Sequence, residues 1–212
     1  MKVFVYIIDE LADWELSFLL AELNSKRYFK NKNQPIEIVK TANILEPRQT
    51  MGGLSIIPDC RVDDMEISGS DILILPGSDN WFKKEHEPIL LKAKTYIEQG
   101  IKVAAICGAT FGLANVGALD NKRHTSNDKA FLKQVCKNYK GEHLYENTPA
   151  VTDGNLITAT GIAPLEFTFE VLKLLNVFSE DTLINWYKLY TTKETKYFFE
   201  LMQSLKNSRE NK

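Results

Sequence analysis

Cys107 lies in "AAICGAT" (104–110), between the apolar run "IKVAAI" (101–106) and the small-residue segment "GATFGLANV" (108–116). A strand ending there and a helix beginning there would hold the cysteine at a sharp turn, pointing out of a sheet. Such a turn needs small neighbours, because it brings chain segments close together. Ala105 and Ala109 take the two flanking positions, and Gly108 adds room. The following helix should turn its free N–H groups and positive dipole end towards the sulfur and lower the thiol pKa. The N–H groups of Gly108 and Ala109 could then hold an oxyanion, with Gly77, at the end of a neighbouring strand, as a further donor. The chemistry implied is nucleophilic attack by sulfur on a carbonyl carbon. The plainer alternative is a small buried hydrophobe. Cys60 and Cys136 read as packing residues.

The elements that must position this cysteine alternate in type. "VFVYII" (3–8) is a continuous apolar, β-branched run that suits a strand covered on both faces. Asp13 offers an N-cap, and "WELSFLLAEL" continues at helical spacing. "IEIVK" (36–40) and "DILILPG" (71–77) are further strands, and "GGLSIIPD" (52–59) is a short extended excursion. Helices are expected over 87–99, from 108 to Gly117, and over 164–175, where proline takes the first position. "VTDGNLITAT" (151–160) carries the Asp153-Gly154 signal of a hairpin. This pattern predicts an α/β fold with a mostly parallel sheet and helices on both faces. Sites in such sheets lie at the carboxyl ends of the strands. Asp9 to Glu15, Pro76-Gly77-Ser78 and Cys107 all fall there. Residues 1–178 form one domain on this reading. Residues 179–212 read as a C-terminal helical extension packed on it, ending in a charged, frayed "KNSRENK".

Composition sets the frame. The chain has 212 residues, 44% hydrophobic and 25% charged, with a formal net charge of −2. These values suit a globular core and give no basic footprint for a nucleic-acid partner. No apolar stretch approaches the ~20 residues that span a bilayer, and "MKVFVYIIDE" lacks a signal-peptide core. Three widely spaced cysteines without a C-x-x-C pair suit neither a disulfide framework nor a thiolate zinc site. A cytoplasmic protein with no membrane partner, no metal and no cofactor is expected.

Four segments carry a resemblance: "LPGS" (75–78), "AAICGAT" (104–110), "RHTSN" (123–127) and "DGNLITATGIAPLEF" (153–167). In this order they resemble the PfpI-like family of the class I glutamine amidotransferase-like superfamily, which also holds the Parkinson-linked deglycase and redox sensor. The resemblance covers roughly residues 1–176. It implies a flavodoxin-like three-layer sandwich with a nucleophile elbow, and often a homodimer. It also implies a glutamate from the start of the first helix beside the cysteine, which carries over onto Glu15 ahead of Asp9, Glu10 and Asp13. Helical geometry puts Glu15, Phe18, Leu19 and Glu22 on one partly apolar face. Beside a thiolate, a semi-buried carboxyl should hold its proton. Serving only the helix dipole is the alternative for Glu15.

In much of the family a histidine from the region of His124 approaches the cysteine. That would make His124 a base or an orienting group; an exposed loop histidine is the alternative. His86 and His143 look like surface residues beside acids. The glutaminases of the superfamily use a late His-x-Glu pair, and this chain has no histidine after His143. The protease-like branch places a histidine directly after the cysteine, where this chain has Gly108. Glutaminase and peptidase activities are therefore disfavoured.

Three functions remain on this reading. The first is a cysteine-dependent hydrolase, amidase or glyoxalase-like enzyme acting on a small carbonyl or amide substrate, with Glu15 as proton partner of Cys107. The second is a redox-sensing or stress-protective protein that oxidises Cys107. The third is a binding module on the same fold.

Overall fold

The computed structural model describes residues 1–210. Its strands are β1 (Lys2–Tyr6), β2 (Glu37–Ala42), β3 (Arg48–Gln49), β4 (Ser55–Ile56), β5 (Cys60–Arg61), β6 (Ile72–Leu75), β7 (Lys102–Ile106), β8 (Ala150–Asp153) and β9 (Leu156–Ala159). Its α-helices are α1 (Asp13–Ser25), α2 (Glu87–Glu98), α3 (Gly108–Asn115), α4 (Lys129–Val135), α5 (Pro164–Leu174), α6 (Glu180–Thr192) and α7 (Lys196–Glu210).

Seven strands form one sheet in the order β5-β2-β1-β6-β7-β9-β8. All its pairings are parallel except β8 with β9. This is the mostly parallel α/β arrangement that the alternating pattern predicts, and the flavodoxin-like three-layer sandwich that the resemblance implies. The central strands β1, β6 and β7 are buried along almost their whole length, as expected of strands covered by helices on both faces. Their carboxyl ends bring Tyr6, Leu75 and Ile106 to one edge of the sheet, and the loops leaving that edge carry the site.

Local differences from the expected elements have simple causes. The N-cap of α1 is Ala12, and Asp13 is the first helical residue. Its carboxylate instead accepts the N–H of Gly52 at 2.6 Å, which ties the β3–β4 turn to the start of α1. The excursion over 52–59 supplies only β4, which pairs with the preceding β3 as a small separate antiparallel hairpin. The Asp153-Gly154 turn forms as expected, with Gly154 at φ 62° between β8 and β9.

The extension after residue 178 is two helices, α6 and α7. Ser179 caps α6, its hydroxyl accepting the Thr182 N–H. Trp186 on α6 is fully buried, and its indole N–H donates to Glu22 Oε1 on α1 at 3.0 Å. Glu22 also pairs with Arg27, so this buried carboxylate is charge-compensated. The expected frayed "KNSRENK" is helical through Glu210, and residues 211–212 lie outside the described residues.

Candidate active site

Cys107 follows β7 directly and is the N-cap of α3, with φ 58° and ψ −126°. That backbone conformation is rare for a residue with a Cβ and costs on the order of 1–3 kcal/mol. The other non-glycine residues at positive φ include Lys26 and Lys193, which sit in the ordinary left-handed well at helix ends. Cys107 does not. The surrounding backbone imposes its strain: its N–H is held by Ala159 O at 3.0 Å, and its carbonyl accepts from Thr110. The side chain is left half-buried at the strand ends.

Glu15 is in the first turn of α1 and is fully buried. Its Oε2 accepts the Gly77 N–H at 2.6 Å. Oε1 is buried without a hydrogen bond of normal geometry, yet the carboxyl faces Cys107 closely enough for each group to shift the other's proton affinity. Two glycines permit this approach. A Cβ on Gly77 would lie 2.5 Å from both carboxyl oxygens and 2.6 Å from Cys107 Cβ. A Cβ on Gly161 would lie 2.7 Å from Cys107 Sγ and 3.1 Å from Glu15 Oε1. Neither glycine could carry a side chain without moving the sulfur or the carboxyl.

Burial pushes the Glu15 carboxyl up to about 7, against the pull of the Gly77 N–H and the Cys107 thiol. The direction agrees with a carboxyl that holds its proton. The thiol departs from expectation. Burial, and then the neighbouring Glu15 charge, push Cys107 up to about 11. The Asn127 amide and the Gly108 N–H pull it down, but they do not win. The expected depression of the thiol pKa by the helix end is therefore outweighed by desolvation. Protonating Glu15 removes the charge repulsion and leaves burial as the main opponent of the thiolate.

The other expected site residues fall into two groups. Gly108 and Ala109 open α3, where the first N–H groups of a helix have no intrahelical acceptor, and both are buried beside the sulfur. Gly108 N–H is directed at Cys107. Gly77 has a different job from the one expected: its N–H is already taken by Glu15, so it anchors the carboxyl. His124 is not brought to Cys107. It is fully buried, with Nδ1 bonded to Lys122 O and Nε2 to the Tyr139 hydroxyl, each at 2.6 Å. Burial lowers its pKa. It is a core residue locking the 122–145 segment, neither a base nor an exposed loop histidine.

The residue that reaches the sulfur from that segment is Asn127, three positions on. Its Nδ2 donates to Cys107 Sγ at 3.2 Å, and its Oδ1 accepts the Gly161 N–H at 2.8 Å. It is the last residue of "RHTSN", and a lone loop asparagine carries no signal of its own in the sequence. His86 also differs from the surface residue expected: it is buried, and its Nδ1 is bonded to the Tyr6 hydroxyl at 2.6 Å. His143 is exposed, as expected. Cys136 is buried, and Cys60 lies on the edge strand β5.

A cavity of about 420 Å³ is lined in part by Asn127, Thr160 and Ala163; Cys107 itself is not in its wall and is linked to it through the Asn127 amide. Among the described residues, no group of three or more His, Cys, Asp or Glu is placed to hold a metal ion, and no helix is long and apolar enough to cross a membrane.

With this geometry in view, comparison with known proteins is direct. The model of the DJ-1/PfpI family matches residues 1–174. The chain belongs to the DJ-1/PfpI family. It is 50% identical over 204 residues to the uncharacterized protease YoaZ of Bacillus subtilis (strain 168), covering 96% of this chain and 97% of that one. It is 32% identical over 175 residues to the uncharacterized protease YdeA of the same organism, covering 82% and 83% of the two chains. Among solved structures, it superposes on a thiJ/pfpI family protein from Bacillus anthracis with a TM-score of 0.93 at 49% identity, over 96% of each chain. The family match of the DJ-1/PfpI domain ends at residue 174, whereas the likeness to YoaZ runs over nearly the whole chain.

Proposed function

We propose that this DJ-1/PfpI protein is a Cys107-dependent enzyme acting on a small carbonyl or amide compound, with Glu15 as its proton partner. One observation carries the reading: a cysteine in a strained elbow faces a buried carboxyl whose proton affinity lies near neutrality. A thiol pushed up to about 11 is a poor free thiolate, so sulfur needs a base at the moment of attack. Ionised Glu15 can be that base.

In the first step the Glu15 carboxylate takes the thiol proton as Sγ bonds to the carbonyl carbon. The C=O π pair moves onto oxygen, where the open N–H groups of Gly108 and Ala109 can receive it. Glu15 then returns the proton to that oxygen and a hemithioacetal results. With an acyl amide, the proton goes instead to the departing nitrogen. The resulting thioester is hydrolysed by water, which restores the thiol. With no histidine at the sulfur, Asn127 orients it and Glu15 alone moves protons. A good leaving group or an aldehyde suits such a site better than an unactivated peptide. The relatives' protease names support a hydrolase in general.

The raised thiol weighs against the sensor reading, which calls for a thiolate exposed at neutral pH. The homodimer implied by the family stays part of the proposal. The exposed Met51, Leu54 and Ile57 around the β3–β4 hairpin give a second copy an apolar face. Replacing Cys107 with Ser and following methylglyoxal or acyl-amide consumption tests the catalytic reading. Undiminished turnover would remove it.

A further inference from the structure

The cavity that Asn127 shares with the Cys107 sulfur has a chemical bias that the reaction outlined above does not use. Its walls include Asn127, Asn147, Thr148, Thr160, Ile162 and Glu166. Asn and Thr supply half of the lining residues beside apolar Pro149, Ile162 and Ala163, one carboxylate is present, and no lysine or arginine lines it. Asn127 connects it to the sulfur by direct contact. Thr160 and Ile162 flank Gly161, the residue packed against Sγ.

Glu166 lies in the first turn of α5, and the Tyr187 hydroxyl donates to its Oε1 at 2.8 Å. The Tyr187 ring packs on Phe169 with centroids 5.1 Å apart, which fixes the hydroxyl. No cation neutralises Glu166 among the described residues, and Oε2 has no protein partner there. This contrasts with Glu22, the other acid held by the C-terminal extension, which is paired with Arg27. A helix first turn explains why an acid is tolerated at 166. It does not explain why a tyrosine from a separate element holds that acid in the wall of a cavity that also contains Asn127, the donor to the Cys107 sulfur.

We infer that Glu166 is the recognition carboxylate of this cavity, and that it selects carbonyl compounds carrying a protonated amine. Positive charge on the substrate would meet Glu166 Oε2, and amine N–H groups would meet the Asn147 and Thr148 oxygens. Tyr187 acts as a positioning residue by fixing the carboxylate. This rests on the reading that Cys107 is the reacting group.

The test reads Cys107 without needing turnover. Native protein is treated with a cationic 2-aminoethyl, a neutral 2-hydroxyethyl and an anionic 2-sulfonatoethyl methanethiosulfonate. Rates at Cys107 are followed by peptide mass spectrometry. The ratio of cationic to neutral rates, divided by the same ratio for free cysteine, cancels the thiolate fraction. The expected ratio is above one in native protein. It should fall about fivefold in Glu166→Gln, the size of a partly screened unit charge across a small cavity. Tyr187→Phe should lower it by a smaller factor. A native ratio no greater than that of free cysteine overturns the inference, and this measurement requires no variant. A ratio unchanged in Glu166→Gln overturns it too. Turnover that survives Cys107→Ser would instead remove the catalytic reading and leave the reagent ratios as they are.

Discussion

The Asn127 carboxamide bridges the two sides of the elbow, donating to Cys107 Sγ at 3.2 Å while accepting the Gly161 N–H at 2.8 Å. The amide orientation follows from this pair of contacts, since a flipped amide would set N–H against N–H. Asn127 therefore supplies the sulfur with a neutral donor that never needs to change protonation. Asn127→Leu should raise the Cys107 thiol further. Its alkylation by iodoacetamide at pH 8 should slow several-fold, and the pH profile of alkylation should move to higher pH. An unmoved profile would mean the amide contact does not stabilise the anion.

Glu15 places a folding penalty in the site. Its carboxyl is raised from an ordinary 4.5 to about 7, so the folded chain keeps a proton that the unfolded chain releases. The unfolded state thus binds fewer protons between those values, and stability falls as pH rises through that window. The loss is on the order of 3 kcal/mol once pH passes about 7. Glu15→Gln should flatten this slope and raise stability at pH 7.5 in urea unfolding. It should also cut Cys107-dependent turnover by roughly 10²-fold or more. A variant as unstable as the native chain at pH 7.5 would contradict the burial argument.

Gly77 is a steric requirement. Gly77→Ala would press a methyl group against both Glu15 oxygens and Cys107 Cβ. The expected cost is about 1–3 kcal/mol, the usual scale of overpacking. Thermal unfolding should show it, and alkylation of Cys107 should change rate in the same protein. A fully native melting curve would show that the carboxyl can move aside without loss.

His124 separates structure from chemistry. His124→Ala empties the space of a fully buried imidazole and takes its partner from the half-buried Tyr139 hydroxyl and Lys122 carbonyl. Stability should drop by about 2–4 kcal/mol. The pH profile of Cys107 alkylation should stay where it is. A shifted profile with unchanged stability would restore His124 to the site.

The sheet was legible because its signals are redundant. Apolar β-branched runs, turn residues and small-residue junctions all agree for β1, β6, β7 and the β8–β9 hairpin. The position of Cys107 at the turn was legible for the same reason, since a strand, a cysteine and a small-residue helix start adjoin in sequence. Glu15 needed the family resemblance, because first-turn acids are common for helix reasons alone. The family expectation falls on His124, whereas the residue at the sulfur is Asn127 of the same loop. Which of them turns towards the sulfur depends on Tyr139, fifteen positions further on, whose hydroxyl captures the imidazole. The thiol's proton affinity was misjudged in sign. A helix N-terminus can be read from a sequence, whereas the extent of desolvation emerges only once Gly77 and Gly161 have closed around the sulfur.

The two hydrogen bonds made by α6 have a consequence for synthesis. Trp186 braces α1 two turns beyond Glu15, and Tyr187 holds the acid of the neighbouring cavity. Both anchors lie about 170 residues downstream of Glu15, and so leave the ribosome long after it. A nascent chain can therefore build its sheet and seat the sulfur well before the walls around it are fastened. A chain stopped before Trp186 would therefore hold Cys107 at its elbow while Glu22 and Glu166 lacked the partners that α6 supplies.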